Sequence, residues 1–181
     1  MIRAIAAFFL IALAACGPEA GGAPPAPVTL TAEAAGHFCQ MSVLDHPGPK
    51  AQVHLAGYDH PLWFTQVRDA VAFLRQPEQV AEITAIYVSD MSAAPSWDNP
   101  GTDNWIDITA ASLVVGGDRR GGMGAPELVP FARAEDARAF AAAHGGEVLT
   151  LGDVTDETVL GPVPVEPGIP MPEPGGDGGP G

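Results

Sequence analysis

The chain has 181 residues, enough for one domain or a little more. Eight Lys and Arg face 22 Asp and Glu, a formal charge of −14, which excludes a nucleic-acid partner because a phosphate polyanion needs a basic face. A hydrophobic fraction of 46% excludes global disorder, and two cysteines exclude a disulfide scaffold or a thiolate-only zinc site.

In chain order, residues 1–15 read as a targeting signal. Arg3 gives a positive start, and Ala4 to Ala14 is an apolar run too short to span a bilayer as a mature helix. The run ends in Leu13-Ala14-Ala15-Cys16, which resembles the lipobox of bacterial lipoproteins, with Cys16 as the acylated new N-terminus. An ordinary signal peptide with an incidental cysteine is the alternative. Two or more acyl chains would anchor the chain stably without a transmembrane helix. The expected location is the periplasm, and Gly17 after the cysteine favours the outer membrane. Residues 16–27 are expected to be a lipidated tether. Acylation of Cys16 leaves Cys39 as the one thiol. An unpaired thiol is a liability in an oxidising compartment, which points to a reaction or a metal.

The folded part is expected at about 28–160, and the Pro/Gly-rich stretch 161–181 is expected to be disordered. Met171 falls in that tail and is set aside. Within the folded part, 63–74 aligns with 130–141 at an offset of 67, matching Phe64/Phe131, Asp69/Asp136, Ala70/Ala137, Ala72/Ala139 and Phe73/Phe140. Gly57 and Gly124 keep the same offset. In the first copy a strand over 52–55 and a short strand ending at Phe64 lead into a helix with Thr65 as N-cap. Val67, Val71 and Leu74 form its apolar stripe, Pro77 limits it, and a β-branched strand follows over 83–88. In the second copy, strands over 111–115 and up to Phe131 precede a helix that stops at His144-Gly145-Gly146, and a strand follows over 147–151. The fold class read from this is α+β, two tandem ββαβ units sharing a core, repeat one at about 37–95 and repeat two at about 104–155. Units of about 65 residues are marginal alone, which is why one core is expected.

Sulfur residues carry the candidate chemistry. Cys39 and Met41 are two apart, and in an extended segment both side chains point the same way. A thiolate and a thioether are soft donors that select Cu(I) over Mg²⁺, Ca²⁺ or Mn²⁺. The alternative is a buried cysteine beside a core methionine. Met123 lies in a glycine loop, 116–124, with no apolar neighbours in sequence, which favours a ligand role over packing. That loop lacks the Lys-Ser/Thr of a phosphate cradle. Met91 reads as a strand-end core residue. His46, in the turn Asp45-His46-Pro47-Gly48-Pro49, reads as a turn histidine first and a donor second. No paired histidines support a zinc hydrolase. Arg119 and Arg120 read as partners of the chain's own carboxylates.

Taken together, the lipobox Cys16, Cys39-Gln40-Met41, Asp45 to Lys50, Pro61-Leu62-Trp63-Phe64, Ile86 to Met91 and Gly121 to Glu127 resemble the NosL family, lipid-anchored accessory proteins of nitrous oxide reductase maturation. The similarity runs from about Cys39 to Phe140. It implies the two-unit fold, and one Cu(I) bound by Cys39, Met41 and Met123. It further implies delivery of that ion to apo nitrous oxide reductase, with an ABC-type maturation complex as the other partner. Family members often carry glycine where this chain has Gln40. The resemblance implies a carrier and no enzyme. The rival class is a redox lipoprotein using Cys39 as a peroxidatic thiol, which lacks a resolving cysteine.

Overall fold

Residues 23–163 are described here by a computed structural model. The expected signal segment, Cys16, and the tail from 164 onward with Met171 lie outside them. The first unit begins with β1 (Ala51–Leu55), β2 (Leu62–Phe64), α1 (Val67–Leu74) and β3 (Ile83–Ser89). β1 is the inner strand, antiparallel to β2 through Val53↔Leu62 and to β3 through Val53↔Ile86. All five of its residues are buried, although two are polar. Strand alternation explains this: Ala51, Val53 and Leu55 face the core, while Gln52 and His54 face the other way. There the Gln52 carboxamide accepts from Val28 N at 2.9 Å and donates to Val28 O at 3.0 Å, and His54 Nε2 lies 2.9 Å from Gln52 Oε1. The entering chain thus covers the outer face of the sheet. Tyr87 Oη donating to Pro25 O continues that contact.

The second unit repeats the order with β5 (Ser112–Val115), β6 (Val129–Phe131), α2 (Ala134–His144) and β7 (Glu147–Leu149). With the edge strand β4 (Trp105–Asp107), the sheets run β2-β1-β3-β4 and β6-β5-β7, so β2-β1-β3 and β6-β5-β7 share one topology. The matches at offset 67 are structural: Phe64 and Phe131 end their strands, and Ala70 and Ala137 are fully buried on their helices. Gly57 and Gly124 both take φ near +80°, at +80° and +78°. The expected tandem α+β architecture is therefore what forms.

The core is shared, as expected for units this small. One cluster joins Val53, Phe64, Val71 and Val88 of the first unit to Leu113, Leu128 and Val159 from the second half. Val114, the next residue on β5, faces a second cluster with Val129, Phe131 and Ala137. The second sheet is thus covered on both sides, with side chains of this size contributing about 1.5–3 kcal/mol each on full burial.

Three local expectations are corrected. Trp105–Asp107 forms β4, an edge strand on β3 of the first sheet, and Trp105 packs on Trp63. Thr65 does not cap α1: Gln66 holds the N-cap position without a side-chain cap bond, and a distant carboxylate serves instead. The last strand stops at Leu149 because Thr150 and Asp153 form a reciprocal capping box that turns Leu151–Asp153 into a 3-10 helix. A short α3 (Asp156–Leu160) follows and packs on α1. Its N-cap Thr155 accepts from Thr158 N at 3.3 Å.

Candidate functional site

Cys39 sits on a tight loop, and the expectation of an extended Cys39–Met41 segment is wrong. Gly36 N donates to Met41 O at 2.9 Å, and Gln40 N donates to Gly36 O at 2.8 Å. Gln40 is left-handed at φ +57°, a conformation that costs a residue with a Cβ. Its Nε2 bonds to His37 O at 2.7 Å and Gly36 O at 3.3 Å, which helps to hold that conformation. The reversal separates the two side chains from the simple alternation of a strand. Cys39 is half-buried, while Met41 is 43% exposed. His37 N donates to Trp63 O and fastens the loop to β2.

Met123 tops a second tight loop. Arg120 pairs with Pro126 in an antiparallel bridge, Gly121 N donates to Ala125 O at 2.9 Å, and Gly124 N donates to Gly121 O at 2.8 Å. The glycines here serve close approach. A Cβ on Gly122 would stand 2.7 Å from both Thr65 O and His46 Cβ, and one on Gly121 would stand 2.6 Å from Gln66 Oε1.

Both loops meet at Thr65 and Gln66, the entry to α1. Cys39 Sγ lies 4.0 Å from Thr65 Oγ1. Gln66 Oε1 accepts from Met123 N at 3.1 Å, while Gln66 Nε2 donates to Asp69 Oδ1 at 2.7 Å. One amide thus ties the methionine loop to the helix. Cys39 and Met123 line one open cavity of about 380 Å³ together with Phe38, Gln66, Arg68 and Val163.

A buried carboxylate supports this junction. Glu127 Oε1 accepts from Arg68 N at 3.1 Å and Leu128 N at 2.9 Å, so a residue of the second unit caps the helix of the first. Its Oε2 has no hydrogen-bond partner. Burial pushes the Glu127 carboxyl up to about 8, against those two backbone donors and the Lys50 charge. Burial likewise pulls the Lys50 ammonium down to about 8, opposed by Glu127. Lys50 Nζ donates to His46 O at 2.6 Å, Pro47 O at 2.9 Å and Thr65 O at 3.4 Å, which fixes the turn behind the site. Asp69 is raised by burial, against the Gln66 bond and Arg68.

Of the sulfur residues singled out by sequence, the fold brings Cys39 and Met123 to one cavity, with Met41 exposed on the Cys39 loop. Met91 packs with the second cluster, in keeping with a structural part. His46 backs the glycine loop at Gly122 and accepts from Lys50 through its carbonyl. Arg119 stands 4.0 Å from Asp118 and 5.2 Å over the Trp97 ring, which gives it the structural place expected. Sequence reading gave no part to Gln66, Lys50 or Glu127. The signal available for the last two was a charged residue abutting an apolar strand. Among the described residues, no three His, Cys, Asp or Glu side chains cluster as a metal site. The donor set at the cavity is thiol and thioether, which fits a soft monovalent ion better than a hard or borderline one. No helix among the described residues is long and apolar enough to cross a membrane.

Comparison with known proteins gives the family and the fold. The NosL family profile matches residues 27–159. The copper-binding lipoprotein NosL of Achromobacter cycloclastes is 57% identical over 138 residues, 76% of this chain and 72% of that protein. The copper-binding lipoprotein NosL of Stutzerimonas stutzeri is 37% identical over 125 residues, 68% of this chain and 63% of that protein. The crystal structure of the copper chaperone NosL from Shewanella denitrificans superposes with a TM-score of 0.68 at 31% identity, covering 73% of this chain and 98% of that one. A profile spanning nearly all of the described residues, with relatives this similar, settles the kinship: the chain belongs to the NosL family.

Proposed function

We propose that this chain is a lipid-anchored Cu(I) carrier of the bacterial periplasm, held at the outer membrane through Cys16. In this reading Cys39, Met41 and Met123 hold the ion. It is handed to apo nitrous oxide reductase by way of an ABC-type maturation complex. The observation that carries the reading is that a thiol and a thioether 84 positions apart line one open cavity. The naming of relatives as copper-binding lipoproteins and as a copper chaperone supports it.

The residues divide the work by their chemistry. Cys39 as thiolate supplies the one anionic donor and loses its proton on binding. The two thioethers are neutral and weakly basic, so each can be replaced by a donor from a partner. Both are open to solvent, Met41 at 43% on the Cys39 loop and Met123 at 42% in the cavity wall. Gln66 fixes the Met123 loop through its backbone, so the thioether stays presented while the ion is absent. Exchange then proceeds by an incoming thiol or thioether displacing Met123 before Cys39 lets go. No covalent bond of a substrate is made or broken. The acidic surface favours docking on a basic partner face.

Anaerobic Cu(I) titration in competition with bicinchoninate tests this. Cys39→Ser is expected to lower affinity by about a thousandfold or more, because it removes the anionic donor. Met41→Ala and Met123→Ala are expected to lower it by about tenfold or more each, as loss of one soft donor does. Unchanged affinity in all three ends the reading.

A further inference from the structure

The polar side chains at the entry of α1 are freed from the work such residues ordinarily do. A helix leaves its first N–H groups without intrahelical partners, and a threonine at the entry commonly accepts from one of them. Here Glu127 of the second unit accepts from Arg68 N at 3.1 Å, and Gln66 makes no side-chain cap bond. Gln66 turns its amide oxygen to Met123 N instead. Thr65 is only 2% exposed, so its hydroxyl has no access to bulk water, and it points to Cys39 Sγ at 4.0 Å. The backbone of Thr65 is held in place as well. Its carbonyl receives Lys50 Nζ at 3.4 Å, and a Cβ on Gly122 would stand 2.7 Å from that oxygen. On its other side the sulfur is bounded by Gly36, where a Cβ would stand 2.5 Å from Cys39 Sγ and 3.3 Å from Thr65 Cγ2. The thiol thus sits in a seat between Gly36 and Thr65, and it also lines the cavity it shares with Met123.

We propose that Thr65 is a positioning residue for copper binding: its hydroxyl donates a hydrogen bond to the Cys39 thiolate, aims the sulfur at the cavity and supports its charge while the ion is held. The inference rests on the Cu(I) reading above. Either atom can donate while Cys39 is a thiol. A thiolate has no proton to give, so with the ion bound the bond runs from hydroxyl to sulfur. A hydrogen bond to an ionised acceptor is roughly twice as strong as a neutral one. The neighbouring donors are engaged elsewhere. Gln40 Nε2 bonds to His37 O and Gly36 O, Gln66 Nε2 bonds to Asp69, and Lys50 Nζ bonds to three carbonyls. The two residues that open α1 therefore divide the site between them. Thr65 serves the anionic donor through its side chain, and Gln66 serves the Met123 loop through the backbone.

Thr65→Val in the full chain tests this, since valine keeps the β-branched shape and replaces only the hydroxyl with a methyl. The expected result is about a tenfold loss of Cu(I) affinity against bicinchoninate, the scale on which partners of metal ligands matter. Thr65→Ser, which keeps the hydroxyl and drops the methyl, is expected to bind as the native chain does. A second readout needs no copper. The Hα–Hβ couplings of Cys39 report its χ1 rotamer, and one rotamer is expected in the native chain and Thr65→Ser, an average of several in Thr65→Val. Gly36→Ala reaches the same seat from the other side, because its Cβ displaces the sulfur from Thr65 and leaves the hydroxyl in place. It is expected to weaken binding by a similar factor, and adding Thr65→Val to it is expected to cost nothing more. Native affinity in Thr65→Val overturns the proposal. A loss that Thr65→Ser shares also overturns it, since packing of the methyl then accounts for the effect, and so do additive losses in the combined variant. Cys39→Ser runs alongside. If it weakens binding and Thr65→Val does not, only the part given to Thr65 falls. If Cys39→Ser binds as the native chain does, the copper reading falls and this proposal falls with it.

Discussion

The two ββαβ units differ most in the link between their first two strands. In the first unit Ala56 to Pro61 joins β1 to β2, six residues; in the second Gly116 to Leu128 joins β5 to β6, thirteen. The seven extra residues accommodate the glycine loop that carries Met123. The loop is anchored on the other unit: Gln66 accepts from Met123 N, and Glu127 accepts from Arg68 N. The repeat supplies two copies of one sheet-and-helix unit around a shared core, and the longer link in one copy reaches the helix entry of its neighbour. The site is therefore a property of the pair, and neither unit carries it alone.

The sharpest way to break this comparison is at Glu127. Its counterpart at offset 67 is His60, which is exposed. Glu127→Ala leaves two buried backbone donors, those of Arg68 and Leu128, without a partner. The expected loss is about 3 kcal/mol of stability, seen in urea denaturation, because each orphaned buried donor costs of order 1–3 kcal/mol. His60→Ala is expected to change stability by less than about 0.5 kcal/mol, as exposed substitutions do. Equal losses at both positions would remove the asymmetry on which the comparison stands.

The same carboxylate makes stability depend on pH. The Glu127 carboxyl is raised from 4.5 to about 8 in the folded chain. Between those values the native state keeps a proton that the unfolded chain has released. Stability is therefore highest below the unfolded value and falls as pH rises toward 8, by at most about 1.4 kcal/mol per pH unit for one proton. Lys50, lowered to about 8, acts above that value and in the opposite direction, so stability recovers from pH 8 toward 10.5. Glu127→Gln is expected to flatten the falling limb between pH 5 and 8 in a series of denaturation curves. A limb of unchanged slope in that variant would assign the dependence to another group.

Gln66 gives a smaller effect of a different kind. Gln66 and Arg133 are counterparts at offset 67, and each reaches an aspartate three residues on: Gln66 to Asp69 at 2.7 Å, Arg133 to Asp136 at 2.5 Å. An arginine has no acceptor atom, whereas the amide keeps one free for Met123 N. Gln66→Ala is expected to cost about 1 kcal/mol in stability, the size of one ordinary hydrogen bond. On the proposed Cu(I) reading it is also expected to raise the rate of Cu(I) loss to bicinchoninate by about tenfold in stopped flow, since supporting contacts around metal ligands commonly matter by 10–100-fold. Arg133→Ala is expected to leave that rate alone. A Gln66 variant that loses stability without releasing the ion faster would reduce the residue to packing.

What was legible in the sequence follows the same division. The repeated unit could be read because Phe64/Phe131, Ala70/Ala137 and Phe73/Phe140 fill matching positions, and burial leaves an apolar pattern that survives drift. Strand β4 and helix α3 could not be read: three and five residues are too short for a period, and their places are set by β3 and by Arg68 and Arg75. Met123 stood out because a thioether among glycines has nothing local to pack on. The link from Glu127 to Arg68, 59 positions away, left no trace in local sequence because it depends on how the units interlock.

Gln40 is where reading by alternation failed, and it offers the finest test. Alternation assumed an extended chain, but Gln40 sits at φ +57° and reverses it. The reversing residue is neither glycine nor proline, and Gly36 lies four positions upstream, so no residue type at position 40 announced a turn. A non-glycine residue pays about 1–2 kcal/mol for this conformation. The two bonds from Nε2, to His37 O and Gly36 O, offset it at about 1 kcal/mol each or less, because one is exposed. Gln40→Gly removes the strain and both bonds, and makes the unfolded chain more flexible by about 0.5–1 kcal/mol. These terms nearly cancel, so the expected change is within about 0.5 kcal/mol. Gln40→Ala keeps the strain and loses the bonds, so it is expected to cost about 1 kcal/mol. Denaturation of the two variants side by side separates the terms. If alanine matches the native chain while glycine stabilises it, the side-chain bonds carry nothing, and the turn around Cys39 is held by Gly36 and Met41 through their backbone alone.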